Sequence, residues 1–196
     1  MRKLTIPEAL QVEFATIEAL WHSSAETRRV DALLLSWVKY EKQMRRLFSF
    51  FVLQHPKITA STLDSVITAF ADNKNLCPET FLSGIKELGV ATPSKLLGSD
   101  HAQLWSEMKR IKKHRNKLMH GQLTGQKISS PQLEQDVIHI INWISAVAKA
   151  TDEHFGYDGL RRNTYAAAKA STTLHVKSYP FSTPAELKTW LSTLKF

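Results

Sequence analysis

The feature that most constrains the fold is a long apolar seam. Large apolar side chains recur there at steps of four and three, at Leu33, Trp37, Tyr40, Met44, Leu47 and Phe51. This spacing places them on one face of an α-helix, and Phe48 and Phe50 widen that face. We therefore predict a helix from about Val30 to Gln54, ended by Pro56 and covered by two neighbouring helices.

Most of the remaining chain is also predicted to be helical. Only seven Gly and seven Pro punctuate 196 residues, and apolar side chains repeat every three or four positions over long stretches. Thr5 is the expected N-cap of the first helix, and Ser99 or Asp100 is the expected cap of the helix that stops before Gly121. The predicted helices, besides the second, cover about residues 6–24, 61–71, 79–88, 101–120 and 130–153.

The sequence changes in character after Gly156, where large aliphatic side chains become sparse. The segment TTLHVKSYPF alternates in the manner of a short strand. The final segment begins with Thr183, Pro184 and Glu186, which is the pattern of a capping box at a helix start. We predict an all-α fold: a helical bundle over residues 1–155, with residues 156–196 as a small C-terminal appendage that contributes a short strand and a helix.

The chain carries a positive charge that is concentrated in one segment. Lys and Arg number 26 against 18 acids, which gives a formal charge of +8 and favours polyanionic partners such as RNA, DNA or anionic lipid. The densest segment is KRIKKHRNKLMHGQ, residues 109–122, and no acid occurs between Met108 and Leu133. Such a segment would attract a phosphate backbone, although an ordinary solvated helix face is the alternative. The candidate RNA-binding residues are Lys109, Arg110, Lys112, Lys113 and Lys117.

Several classes of function find no support in the residues. The single cysteine, Cys77, cannot form an intramolecular disulfide, which fits a reducing compartment, and no Cys/His spacing resembles a zinc site. There is no Gly-rich phosphate loop and no G-x-S-x-G motif. Glu8 and Glu13 interrupt the apolar stretch that a signal peptide needs, and no window of 18 apolar residues occurs. We expect a cytoplasmic protein without a membrane span, metal or cofactor.

The basic segment contains the pattern Arg115-Asn116-x-x-x-His120. Metal-free phosphoryl transfer on RNA needs a cation that holds the phosphate and stabilises transition-state charge, and a planar guanidinium is suited to this. It also needs a group that titrates near neutrality, for which histidine is the natural choice. The RNA 2′-hydroxyl can serve as the nucleophile, so Arg115 and His120 supply the required parts. The alternative is a basic helix end whose cations complement the helix dipole.

The spacing of this pair raises a geometric difficulty. Five residues on an unbroken helix amount to about 140° of rotation, so Arg115 and His120 would not share one face. Two arrangements would bring a guanidinium and an imidazole together. Either the last helical turn unwinds before Gly121, or two copies of the motif meet across a two-fold axis.

A carboxylate on the predicted second helix is a further candidate. Glu41 lies four residues after Trp37 and three before Met44, at or beside the apolar face. An unpaired charge there would be costly, so Glu41 needs a partner. Arg115 is one candidate partner, and Arg45, one turn further along the same helix, is the alternative.

At RNKLMHG the sequence resembles the HEPN superfamily, a class of helical domains that occurs in prokaryotic toxins, phage-defence proteins and RNA-processing enzymes. Arg115, Asn116 and His120 match the family signature in order and spacing. The segment LLLSWVKYEKQMRRLFSF is similar to an earlier family helix with an acidic residue, to which Glu41 corresponds. The resemblance covers roughly residues 5–154, and the short motif is its specific part.

The resemblance implies a metal-independent endoribonuclease that acts as a homodimer with a composite active site. Arg115 would bind the scissile phosphate, His120 would act as general base or acid, and Asn116 would orient His120 or the phosphate. Glu41 would hold Arg115 in place. The products would carry 2′,3′-cyclic phosphate and 5′-hydroxyl ends. A toxin or phage-defence role, with an antitoxin or defence-system partner protein, is the implied setting.

The chain departs from one family pattern, and other functions remain open. Some toxin members carry a Tyr two residues after the His, which a nucleotidyltransferase antitoxin modifies, whereas this chain has Gln122 there. The resemblance therefore does not extend to that mode of control. The main alternative is a non-catalytic module of the same fold that binds RNA or a partner protein. A basic helical DNA-binding protein ranks lower, because the densest basic helix offers no evident groove-reading face.

Overall fold

The computed structural model describes residues 3–73, 75–120, 128–162, 164–170 and 175–195, which are mostly helical. The α-helices are α1 (Gln11–His22), α2 (Arg28–Gln54), α3 (Leu63–Asp72), α4 (Pro78–Glu87), α5 (Pro93–Leu96), α6 (Asp100–Met119), α7 (Ser130–Phe155), α8 (Tyr165–Ala170) and α9 (Pro184–Thr193). Short 3₁₀ turns precede α1 at Glu8–Leu10 and α3 at Ala60–Thr62. The all-α prediction is confirmed, and none of these ranges contains a strand.

The apolar seam predicted in the second helix is the buried face of α2. All six seam residues are buried, and so are Phe48 and Phe50. The helix begins at Arg28, two residues before the predicted start, and ends at Gln54 as predicted. Each fully buried side chain of this size contributes about 1.5–3 kcal/mol relative to exposure, so this one helix supplies a large share of the apolar burial.

The chain divides into two compact units. The first comprises Met1–Tyr40 and Leu97–Val147, and the second comprises Glu41–Leu96 and Ala148–Phe196. Helices α2 and α7 each contribute residues to both units. The predicted appendage therefore groups with residues 41–96. The predicted boundary at residue 155 stays a prediction.

The first unit has an aromatic and aliphatic core. The ring of Tyr40 lies edge-on to Trp37 and to Trp143, with centroid distances of 5.1 and 6.1 Å. Helix α1 buries one face, and α6 and α7 bury alternating aliphatic positions at helical spacing. The buried residues of these three helices include Phe14, Ile17, Trp21, Met108, Ile111, Val137, Ile140 and Ile144.

The second unit packs around Phe48. The rings of Phe70, Phe81 and Trp190 lie 5.5–5.8 Å from it, centroid to centroid. Helix α4 approaches so closely that a Cβ on Gly84 would fall 2.4 Å from Cε2 of Phe48, which explains a glycine within a helix.

Among the described helices of the chain, none combines the length and apolar character needed to cross a membrane.

The predicted C-terminal strand is wrong for the residues that the structure describes. Residues 175–179 have no regular structure, and residues 171–174 lie outside the described ranges. The backbone N–H groups of Lys177 and Ser178 both donate to the Leu88 carbonyl, at 2.9 and 3.1 Å. An alternating segment forms a strand only beside a second strand, whereas this one bonds to the residue that follows α4.

Two of the three predicted helix caps lie at the N-cap position, and one of these makes the expected side-chain hydrogen bond. Thr183 caps α9, because its hydroxyl accepts the Glu186 N–H at 3.2 Å. Thr5 is not the first cap, since Pro7 is extended at φ −56° and ψ 144° and the 3₁₀ turn begins after it. Ser99 occupies the N-cap position of α6, but its hydroxyl lies 3.3 Å from Asp100 Oδ1 instead of bonding the helix backbone.

Candidate functional site

Helix α6 carries the Arg115–His120 motif without a break. The N–H of His120 donates to the carbonyl of Asn116 at 3.1 Å, so the helical hydrogen bonds continue through the motif. Unwinding of the last turn is therefore not observed, and about 140° of rotation separates Arg115 from His120. Gly121 and Gln122, on which two predictions depend, lie outside the described residues.

Two of the motif side chains contact each other directly. Arg115 Nη1 donates to Asn116 Oδ1 at 3.0 Å, and both residues are half-buried. The amide oxygen thus restrains the guanidinium, a group whose planar fork of N–H donors is suited to an oxyanion. His120 is exposed at the C-cap position. The contact associates Asn116 with the cation instead of with His120.

Glu41 is half-buried on α2 and belongs to the second unit, whereas the Arg115–His120 motif belongs to the first. Its position near the apolar face agrees with the sequence pattern. The expected pairing with Arg115, and the alternative pairing with Arg45, both stay predictions.

One of the candidate RNA-binding residues is engaged inside the fold. Arg110 Nη1 lies 2.6 Å from Asp136 Oδ1, and Arg110 Nη2 lies 2.6 Å from Glu107 Oε2. The Asp136 side chain is 0% exposed, so its charge requires this compensation. Two carboxylates neutralise the Arg110 guanidinium, and its contacts do not support a role in binding RNA.

The same buried carboxylate holds a histidine that the sequence analysis did not single out. His114 Nδ1 lies 2.5 Å from Asp136 Oδ2, and Gln132 Nε2 donates to Asp136 Oδ1 at 2.9 Å. Asp136 stands just beyond the acid-free segment, next to the buried Val137 on α7. The position of Asp136 beside a buried residue of a helix could have indicated a buried acid. Its partner His114 could not be deduced in this way, because it lies 22 residues away in the chain.

Further ionic contacts extend this network along α6 and α7. His139 Nε2 lies 3.7 Å from Glu107 Oε2, and Gln135 Nε2 lies 3.0 Å from the same imidazole nitrogen. The hydrogen bond from Arg110 lowers the pKa of Glu107 below its ordinary value of 4.5. We call Glu107, Arg110, His114 and Asp136 the α6–α7 network. It fixes α6 against α7 through charge-assisted hydrogen bonds.

The lysines of the basic segment differ in exposure. Lys109 and Lys113 are exposed, whereas Lys112 and Lys117 are half-buried. Lys109 Nζ lies 5.9 Å from the ring centroid of Trp105, within the range of a cation–π contact. The acids of α6 are Asp100 and Glu107, so its C-terminal half carries positive charge only.

No protein-family model, curated protein or solved structure matches this chain. The resemblance to HEPN domains therefore depends on the motif residues and Glu41. Within the described residues, no group of three His, Cys, Asp or Glu side chains is arranged to hold a metal ion.

Proposed function

We propose that this chain is a HEPN-type, metal-independent endoribonuclease that acts as a cytoplasmic homodimer in a toxin or phage-defence role. The observation that carries the proposal is the end of α6. There a guanidinium restrained by an amide oxygen lies within one turn and a half of an exposed imidazole, on a helix half without acids. RNA is the substrate class that this charge favours and that supplies its own nucleophile.

In the proposed reaction, Arg115 binds the non-bridging oxygens of a phosphodiester and offsets the charge that builds on them. The 2′-oxygen forms a bond to phosphorus, and the bond from phosphorus to the 5′-oxygen breaks. The 2′-hydroxyl proton passes to a base, and a proton is delivered to the departing 5′-oxygen. His120 performs one of these transfers, and Asn116 keeps the guanidinium in place. By the resemblance, Glu41 is proposed to hold Arg115 in place.

A second copy of the chain is part of the proposal because of the helix geometry. Since α6 is helical through the motif, one copy directs Arg115 and His120 to different sides of the helix. A two-fold axis close to the end of α6 would place the His120 of each copy near the Arg115 of the other.

The direct test is RNA cleavage by the purified protein in EDTA. We expect 2′,3′-cyclic phosphate and 5′-hydroxyl ends, and a loss of about 10²–10⁴-fold in rate in His120→Ala. Arg115→Lys should also lose most of the activity, because lysine keeps the charge but not the planar fork. His22→Ala is the matched control, since His22 is an exposed histidine in the last turn of α1.

Other outcomes would assign other functions. Full activity in His120→Ala would reject the catalytic role of His120. RNA binding without cleavage, unchanged by His120→Ala, would favour the non-catalytic module. The toxin role predicts that expression arrests growth and that Arg115→Ala and His120→Ala relieve the arrest. Harmless expression of an active enzyme would reject that role.

A further inference from the structure

Helix α6 presents a line of aromatic and polar side chains that is separate from both its buried face and the α6–α7 network. The members recur at steps of three and four and fall within a sector of about 100° around the helix axis. The acids of α6, Asp100 and Glu107, fall outside this sector. We call this line the α6 stripe; it consists of His101, Trp105, Lys109, Lys112, Asn116 and His120.

The aromatic end of the stripe is supported from below. The Trp105 ring packs against Trp143, with centroids 5.4 Å apart, and Trp143 is 0% exposed. The His101 ring lies nearly parallel to Trp105, at 18° and 6.0 Å. Trp105 and His101 are themselves half-buried, so part of each ring meets solvent. A partly exposed aromatic pair on a buried tryptophan forms a fixed surface that loses little freedom on binding a planar ligand.

The charge on the stripe complements a nucleic-acid strand. Lys109 is exposed and lies one turn from Trp105, and Lys112 and Asn116 continue the line toward His120. Burial and then the charge of Lys109 lower the pKa of His101 below its ordinary value of 6.5. At neutral pH the stripe therefore combines uncharged aromatic rings with cationic side chains, which is the combination that binds bases and phosphates together.

We propose that the α6 stripe binds a single-stranded segment of RNA, with bases stacked on Trp105 and His101 and phosphates held by Lys109. The segment would lead along roughly 22 Å of helix, from residue 105 to the His120 end. The inference rests on the proposed function and names its substrate class. Only unpaired bases offer their faces to aromatic side chains, because a duplex hides them in its own stack.

The test measures binding separately from cleavage. The probe is a fluorescent 2′-O-methyl oligoribonucleotide, which lacks the attacking hydroxyl and cannot be cut by the proposed reaction. Its affinity for the full-length protein is measured by anisotropy, beside its duplex form and a DNA strand of the same sequence. We expect the single RNA strand to bind more tightly than the duplex.

Variants then locate the site. Trp105→Ala should weaken binding by about 5–100-fold through the lost stacking, and Trp105→Phe should restore most of it. Lys109→Ala should weaken binding and reduce the salt slope by about one phosphate contact. Lys149→Ala, an exposed lysine on the long helix α7, is the matched control and should bind as the unaltered protein does.

The outcomes separate this inference from the nuclease proposal. Unchanged binding in both Trp105→Ala and Lys109→Ala would overturn the stripe even if the protein cleaves RNA. Equal affinity for the duplex, or tighter binding of the DNA strand, would overturn single-stranded RNA as the ligand. Trp105-dependent binding by a protein that never cuts unmodified RNA would uphold the stripe and reject the nuclease.

Discussion

The two polar faces of α6 use the same kinds of side chain for different purposes. On the network face, Arg110 and His114 both bond the buried carboxylate of Asp136. On the stripe, about 160° around the helix, Lys109 is exposed and has no acid of α6 beside it. A basic segment is therefore not a uniform surface, and one buried acid decides that Arg110 and His114 hold the fold.

The largest expected effect is a loss of stability when the α6–α7 network loses its buried carboxylate. Asp136→Ala would leave Arg110 and His114 without their shared counter-ion and should lower the free energy of unfolding by about 3 kcal/mol. That figure is at the lower end for a broken buried pair, because the Arg110 side chain is 32% exposed. The measurement is urea unfolding. Glu153→Ala, an exposed acid on the same helix, should change stability by less than about 0.5 kcal/mol.

A smaller effect distinguishes the two faces of α6 at the adjacent residues Lys109 and Arg110, through stability and RNA affinity. Arg110→Ala should lower the unfolding free energy by about 1–3 kcal/mol, because it removes charge-assisted hydrogen bonds, while RNA affinity changes little. Lys109→Ala should show the reverse pattern, with weaker RNA binding and unchanged stability. Both variants are compared by urea unfolding and by anisotropy. Similar profiles for the two variants would contradict the distinction between the faces.

The smallest expected effect is a difference in pH response. Burial lowers the pKa of His101 on the stripe, and of His55 and His175 in the second unit. The unfolded chain therefore takes up protons first, so stability present above pH 6.5 should decline as the pH falls below it. Glu107 has a lowered pKa, so its contribution should persist until the pH falls below about 4.5.

The unfolding midpoint between pH 8 and pH 4 checks this order. His55→Phe should flatten the decline just below pH 6.5, because Phe does not titrate and can stack on Phe181, which lies 4.1 Å from the His55 ring. A midpoint that stays constant from pH 7 to pH 5 would contradict a lowered pKa at these three histidines.

Local patterns predicted much of the fold. The burial of α2, the bounds of α7 within two residues and the Thr183 cap all follow from residues close together in the chain. The missing strand shows the limit, because alternation is local but a strand needs a distant partner.

The candidate site divides in the same way. Arg115, Asn116 and His120 were identified from their spacing, and the spacing also predicts the angle between them. The link of Arg110 and His114 to Asp136 was not predictable, since it joins two helices across 22 to 26 residues and depends on how they pack. The α6 stripe could be recognised only from the structure, because its aromatic end is supported by the buried Trp143 beneath Trp105.

The most direct test of the central claim mixes two inactive variants. If each active centre combines Arg115 of one copy with His120 of another, Arg115→Ala and His120→Ala should each be inactive, and heterodimers should carry one intact centre. An equimolar mixture, allowed to exchange subunits, should regain roughly a quarter of the RNA cleavage of the unaltered protein. No recovery from a mixture that demonstrably forms heterodimers would contradict the composite centre, and with it the reading of α6 as half of a nuclease site.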